Sequence, residues 1–253
     1  MFNQSRIENK VSDPWKGQGL AILDYFNGNL NAVFTTHCSD GDSDEVKASD
    51  FFRTFNEFPL VEQIAIQTCR KHILDIGAGA GCHALELQKR GFRVTAIDVS
   101  PESVDVMQKR GVKDARLIDY NDLKGEQFDT ILLMMNGIGV VGDLEGLICF
   151  LDNIKYLLKR KGQIVFDSLD LAEDNTKPDQ TPYEDWLLNG GTPPSYIGTL
   201  EYRIEYQGEL YPTFNWLFID PHLLTTVAQH TGWYSEILLS QDDGHFLARL
   251  IKS

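Results

Sequence analysis

From Lys71 onward, short apolar runs alternate with amphipathic stretches, a pattern that predicts a parallel sheet with helical crossovers. Strands are expected at 72–76, 92–97, 114–118, 128–135 and 163–167. Ser100 followed by Pro101 marks a helix start, and Gly111 marks its end. Between 143 and 160, Leu144, Leu147, Ile148, Leu151, Ile154 and Leu158 share one stripe. A core-facing helix closed by Gly162 is expected there.

The flanks read differently. Residues 1–70 suggest an N-terminal helical layer, because "DPWKGQGLAILDYF" and "FPLVEQIAIQTCR" both show helical spacing, with Leu60, Ile64 and Ile66 on one side. The polar segment around 37–50 between them reads as a solvated loop. "LAEDNTKPDQTPYEDWLLNGGTPPS" is rich in Pro, Gly and acids and predicts a long excursion with about one helical turn. Alternation on both sides of Gln207-Gly208 predicts a hairpin, with Leu200, Tyr202, Ile204 and Tyr206 on one face and Glu201, Arg203 and Glu205 on the other. Asp220-Pro221 opens a helix ending at Gly232, and strands near 234–240 and 245–251 follow. The expected organisation is one structural domain: a lid-like layer over 1–70, then 71–253 with an insertion at about 171–219.

Composition narrows the partners. With 37 acidic and 23 basic residues among 253, the net charge is −14. Such a surface repels phosphate backbones, and no Lys/Arg-rich run offsets it, so no nucleic-acid partner is expected. No apolar run approaches the roughly 18 residues a membrane helix needs. The stretch "MFNQSRIENKVSDPWKG" lacks the basic start and apolar core of a signal peptide, so a cytoplasmic protein without a membrane partner is expected. Cys38, Cys69, Cys82 and Cys149 match no zinc spacing. "SDGDSDE" fails as a calcium loop, because Glu45 stands at the glycine position and Phe51 at the closing-Glu position. No metal is expected.

The chemistry concentrates in "ILDIGAGAGCHALELQKRGFRVTAIDVS". Gly77, Gly79 and Gly81 follow a strand and open a helix, where the chain turns sharply and a ligand can approach the backbone. In the dinucleotide pattern G-x-G-x-x-G the third glycine would fall at position 82, which holds Cys82. Asp75, two residues before the first glycine, would repel a pyrophosphate but suit a positive amino group. Asp98 ends the second strand, where a carboxylate can accept hydrogen bonds from ribose hydroxyls. Asp119 ends the third. An amino acid, a ribose and a base in that order describe S-adenosylmethionine.

The stretch from about Lys71 to Asp170 resembles the class I (seven-stranded, Rossmann-like) S-adenosylmethionine-dependent methyltransferases. "LDIGAGAG", "VTAIDVSPESV", "RLIDYNDL", "FDTILLMMNG" and "LLKRKGQIVFDS" follow that family's order and spacing over about 40% of the chain. The resemblance implies a mostly parallel seven-stranded sheet with helices on both faces, here with the N-terminal layer and an extra hairpin. It implies that Asp75 and the loop Gly77, Ala78, Gly79 and Gly81 hold the methionine moiety. Asp98 would bind the ribose, with Val99 beside the adenine; Asp119 and the Tyr120 backbone would meet the adenine amino group. Asn136 would lie near the sulfonium.

Methyl transfer is a single displacement that needs alignment and exclusion of water more than a strong base. Catalytic candidates are Asn136, His83 and His37. The base-amino methyltransferases of the family carry a D/N/S-P-P-aromatic box after the fourth strand, where this chain reads "MMNGIGVVGD". With the acidic charge, that points to a small-molecule acceptor. The methyl should face the fourth and fifth strand ends, toward Asn136, the Gly137–Gly142 loop, Asp167 and Ser168. One enclosed cavity is expected there, roofed by parts of the N-terminal layer and of 171–219. Two other classes remain: a noncatalytic cofactor-binding module, and a nucleotide-dependent oxidoreductase opposed by Asp75 and Cys82.

Overall fold

The computed structural model describes residues 13–171 and 181–252. The expected layer before residue 13 and the excursion at 172–180 lie outside the described residues. The first half of the chain contains α1 (Lys16–Phe26), β1 (Val33–Cys38), β2 (Ser43–Lys47), α2 (Leu60–Thr68), β3 (His72–Ile76), α3 (Cys82–Lys89), β4 (Arg93–Asp98), α4 (Pro101–Arg110) and β5 (Ala115–Leu117). Then come β6 (Phe128–Leu133), α5 (Leu144–Ile154), β7 (Leu158–Leu169), α6 (Thr181–Asn189), β8 (Thr199–Tyr206), β9 (Glu209–Leu217), α7 (Pro221–His230), β10 (Trp233–Ser240) and β11 (His245–Lys252).

Seven strands form one sheet in the order β10-β11-β7-β6-β3-β4-β5. Five of them, β3 to β7, pair in parallel, and β11 and β10 close one edge antiparallel. β3, "HILDI", is buried at every position, as a strand covered on both faces must be. Successive residues point to opposite faces. Leu74, Ile131 and Leu133 therefore pack with α5 and α7, while Ile73, Leu132 and Val94 pack with α2, α3 and α4. The sequence order of strands reverses at β3, which pairs with β4 on one side and β6 on the other. Crevices for ligands form at the carboxyl ends of strands at such a reversal.

The capping signals hold for α4: Ser100 Oγ accepts from the Ser103 N–H at 3.2 Å, Pro101 opens the helix, and Gly111 closes it at φ 96°. The long helix expected at 143–160 is shorter. α5 stops at Ile154, a turn covers Lys155–Leu157, and Leu158 already pairs with Phe128. Gly162 ends no helix. It lies within β7 beside Lys161, whose φ of 65° belongs to a bulge that lets Thr130 pair next with Gln163. In α2 the buried side is Val61, Ala65 and Ile66, whereas Leu60 is exposed.

The largest departure lies between 33 and 47. The polar stretch read as a loop in a helical layer instead forms β1 and β2, an antiparallel pair. β1 also pairs with β8, and β8 with β9, giving a second, four-stranded sheet in the order β2-β1-β8-β9. Its members come from opposite ends of the chain. Tertiary pairing with the hairpin stabilises strands whose own residues are mostly polar.

Candidate functional site

The floor of the site is the β3–α3 turn. Gly77, Gly79 and Gly81 all have φ between 56° and 79°, the left-handed region that favours glycine. A Cβ at Gly79 would press into the Phe51 ring at 2.9 Å, and one at Gly81 into Val112 at 2.8 Å. Gly77 faces open space. The N–H groups of Gly77 and Ala78 both donate to the Ile97 carbonyl, which fastens the loop to β4. Asp98 completes the clamp: one carboxylate oxygen accepts the Gly79 N–H at 2.9 Å, the other the Ser100 N–H at 2.8 Å. It is 8% exposed, and burial pushes its carboxyl up to about 6.

Asp75 is still more enclosed, at 2% exposure. Burial pushes it to about 6 against the pull of His83, and its Oδ2 has no hydrogen-bond partner. Beyond β4 the crevice reaches the surface, where Val99 is 42% exposed and Leu117 57%. Asp119 caps the next turn by accepting the Asn121 N–H at 2.8 Å, and Tyr120 packs edge-on against Phe150.

The carboxyl end of β6 is strained. Met135 and Asn136 lie consecutively in the left-handed region, at φ 63° and 57°, which costs about 1–3 kcal/mol per non-glycine residue. Asp167 on β7 holds the turn, since both its oxygens accept the Asn136 N–H at 3.0 Å. Asp167 is itself pushed up to about 6 by burial. The Asn136 side-chain oxygen is buried and unpartnered. The glycine-rich stretch that follows is closely packed: it forms a short 3-10 helix over Gly137–Val141, and a Cβ at Gly139 would land on the Trp216 indole.

The four-stranded sheet covers this floor. Alternate residues of each strand face inward: Asp44 and Val46 from β2, Phe34 and Thr36 from β1, Tyr202 and Ile204 from β8, Phe214 and Trp216 from β9. Trp15 and Gln18 from the α1 end, with Phe51, fill the side. Between roof and floor lies a cavity of about 380 Å³ that also touches Gly77, Asp98, Val99, Asp119, Tyr120 and Asn136. Arg110 ties the Phe51 segment to the floor, donating to the carbonyls of Ala80 at 2.6 Å and Phe51 at 3.3 Å.

Two candidates fall elsewhere. His37 occupies the outer face of β1, with its ring between Ser43 and Glu205 at 2.9 and 2.8 Å, because Phe34 and Thr36 take the inward positions. His83 is buried behind the glycine loop, where Nε2 pairs with Glu62 at 2.8 Å and Glu62 in turn pairs with Arg53 at 2.7 Å. Burial works against the imidazolium there, but Cys82 and Glu62 outweigh it and hold His83 well above its ordinary value. Neither histidine lines the cavity. The roof aromatics were missed by sequence reasoning, although the alternation Phe214, Trp216, Phe218 was a signal for one inward face. All four cysteines are free. Among the described residues no cluster of three His, Cys, Asp or Glu side chains could hold a metal, and no helix is long and apolar enough to cross a membrane.

Comparison with known proteins places this architecture. A family model described as a methyltransferase domain matches residues 73–162. A SAM-dependent methyltransferase from Bacteroides fragilis, solved in complex with S-adenosyl-L-homocysteine, is 36% identical, with 95% of this chain and 96% of that one covered at a TM-score of 0.81. The chain belongs to the S-adenosylmethionine-dependent methyltransferases, with S-adenosylmethionine as cofactor. That membership sets aside the oxidoreductase alternative.

Curated relatives match over shorter stretches. The cypemycin N-terminal methyltransferase of a Streptomyces species is 31% identical over 40% of this chain, and the ubiquinone biosynthesis O-methyltransferase of Methylocella silvestris 42% identical over 24%. The chain spans less than half the length of these relatives, 43% and 27% respectively.

Proposed function

We infer that the protein transfers the methyl group of S-adenosylmethionine to a small molecule held beneath the four-stranded roof. The observation that carries this reading is the cavity itself, which runs from Asp98 and Gly77 past Asn136 and under an aromatic ceiling. The floor suits the cofactor. The Asp98 carboxylate borders the cavity for a ribose, Gly77 leaves open space for a close approach, and Val99, Asp119 and Tyr120 border the end suited to adenine. Asp75 lies one layer behind, where its unpartnered oxygen can answer a positive amino group.

Bound there, the cofactor supplies a methyl carbon already activated by its sulfonium. The residues of this chain supply alignment and dryness. Trp15, Phe214, Trp216 and the Met134–Met135 turn would shield the reacting atoms from water on the roof side, and alignment of those atoms would provide much of the acceleration. Asn136 is a positioning group: Asp167 fixes its backbone, and the residue borders the cavity beside the Met134–Met135 turn. No histidine among the described residues borders the cavity, so none is assigned as base. The roof supports a small acceptor over a macromolecule, although one curated relative is named as an N-terminal methyltransferase.

An acceptor screen read by S-adenosylhomocysteine release tests the reading. Turnover with a small molecule and none with peptides or RNA is expected. Turnover with peptides alone would transfer the roof to a macromolecular role, and tight cofactor binding without any turnover would favour a noncatalytic module.

A further inference from the structure

One arginine holds the glycine turn from behind. Arg110, the last residue of α4, donates from Nη1 to the Ala80 carbonyl at 2.6 Å and to the Phe51 carbonyl at 3.3 Å. Its guanidinium lies over the Phe52 ring, 4.5 Å from the centroid. Ala80 stands between Gly79 and Gly81, both left-handed, and is buried with Ile22 of α1 and Val106 of α4. The end of α4 is pressed against the same turn, since a Cβ at Gly81 would meet Met107 at 3.0 Å and Val112 at 2.8 Å.

This contact exceeds what packing requires. Burial lowers the basicity of Arg110, and the opposing influences come from Cys82 and Tyr25 rather than from a carboxylate. A cation buried without an acid costs more than an apolar side chain of similar volume. What the guanidinium adds is a planar donor that reaches two carbonyls in fixed directions. One carbonyl belongs to the glycine turn. The other belongs to Phe51, whose ring borders the cavity and would meet a Cβ on Gly79 at 2.9 Å. The same segment is secured a second time. Arg53 donates to the Asp50 carbonyl at 2.8 Å and pairs with Glu62 at 2.7 Å, and Glu62 pairs at 2.8 Å with His83, just past the turn. Two anchors thus converge on the segment that carries Phe51.

We propose that Arg110 is a positioning residue for the amino acid end of the cofactor: by joining the Ala80 and Phe51 carbonyls, it fixes the gap between the glycine turn and the Phe51 ring. Arg110 does not border the cavity, so it acts through these two groups. The adenosine end is assigned to Asp98, Val99 and Asp119, at the ends of β4 and β5 rather than on the bridged turn. The proposal rests on the assignment of the floor to the cofactor and adds a residue to which the two ends of that ligand should respond differently.

The test compares two ligands on the full chain by titration calorimetry. One is S-adenosylhomocysteine; the other is 5′-methylthioadenosine, which keeps the adenosine and the thioether but lacks the amino acid. Arg110→Met, similar in length and uncharged, should weaken S-adenosylhomocysteine about tenfold and leave methylthioadenosine within about twofold. Phe51→Leu should show the same selectivity at about threefold. If thermal unfolding shows that Arg110→Met does not fold, Arg110→Lys carries the comparison, with a selective loss of about threefold. A general loosening of the protein would lower both affinities alike, so their ratio separates positioning from stability.

Equal weakening of both ligands, or no weakening of either, would overturn the proposal. Phe51→Leu without a selective loss would overturn the part assigned to the ring. A wild-type chain that binds neither ligand, or binds both equally, is a separate result, which strikes the cofactor assignment beneath it.

Discussion

The floor and the roof of the cavity are built on opposite plans. The floor is local: within 24 residues, from Asp75 to Asp98, one strand, one turn, one helix and a second strand position the loop and its clamp. Backbone groups do most of the holding there, through Ile97, Asp98 and the left-handed glycines. The roof is non-local, with β1 and β2 meeting β8 and β9 across more than 150 intervening residues. Its inner surface is almost entirely side chain. The shape of a floor made of backbone changes little with side-chain substitution, whereas the surface of a roof made of side chains changes with each one.

That contrast breaks first at Asp98. Asp98→Ala should weaken S-adenosylhomocysteine binding by about 1.5–3 kcal/mol, because it removes a charged acceptor from the ribose site and frees the Gly79 N–H. Calorimetry showing wild-type affinity would mean that the floor is held by something else. The next effect is where floor and roof meet, at Gly139 beneath Trp216. Gly139→Ala should cost about 1–3 kcal/mol of unfolding free energy, since the added carbon must displace the Trp216 indole. Cofactor affinity should stay within about twofold and acceptor turnover should fall; an equal loss of both would show that floor and roof are not separable.

A smaller effect follows from charge. Burial raises Asp75, Asp98 and Asp167 to about 6, above the ordinary 3.8. A raised carboxyl favours the folded, ligand-free protein at low pH, fully below the unfolded value, and that contribution is lost as pH rises through about 6. Ribose hydroxyls donating to Asp98 favour its ionised form instead. Cofactor binding near pH 6 should therefore release protons, and affinity should fall between about pH 7 and pH 5. Calorimetry in buffers of different ionisation enthalpy measures the release, and Asp98→Asn should reduce it. The smallest change is expected on the far side of the roof. His37→Ala breaks a half-exposed pair with Glu205 and should alter stability by less than about 0.5 kcal/mol and turnover not at all.

The same division governs what can be read from sequence. Gly77, Gly79, Gly81 and Asp98 are legible because glycines at a strand end and an acid at the next strand end have few other uses. The hairpin around Gln207-Gly208 is legible for the same local reason. β1 and β2 are not, because "VFTTHC" and "SDEVK" carry little apolar alternation and owe their strand form to β8. A β-branched run followed by Asp40-Gly41 was a weak hairpin signal there. His83 looked available because it follows the glycine loop, yet only the fold reveals Glu62 waiting for its Nε2. Leu158 looked helical until its pairing with Phe128 was seen.

The joining of β1 to β8 also sets an order in time. On the ribosome, the first roof strands emerge long before the hairpin that completes their sheet, and pairing across so long a separation carries a large loop-closure cost. The glycine turn and its clamp need only their own neighbourhood. In the finished protein the same asymmetry persists as unequal local stability. The roof should open more readily than the seven-stranded sheet, because its apolar cluster lies within itself and along α1, joined to the floor mainly through Trp216 on Gly139, Phe51 on Gly79 and Lys16 on Glu102. Amide exchange should therefore be faster across Val33–Cys38 and Ser43–Lys47 than in β3 and β6, and on the reading proposed above an acceptor would enter through local unfolding of the roof.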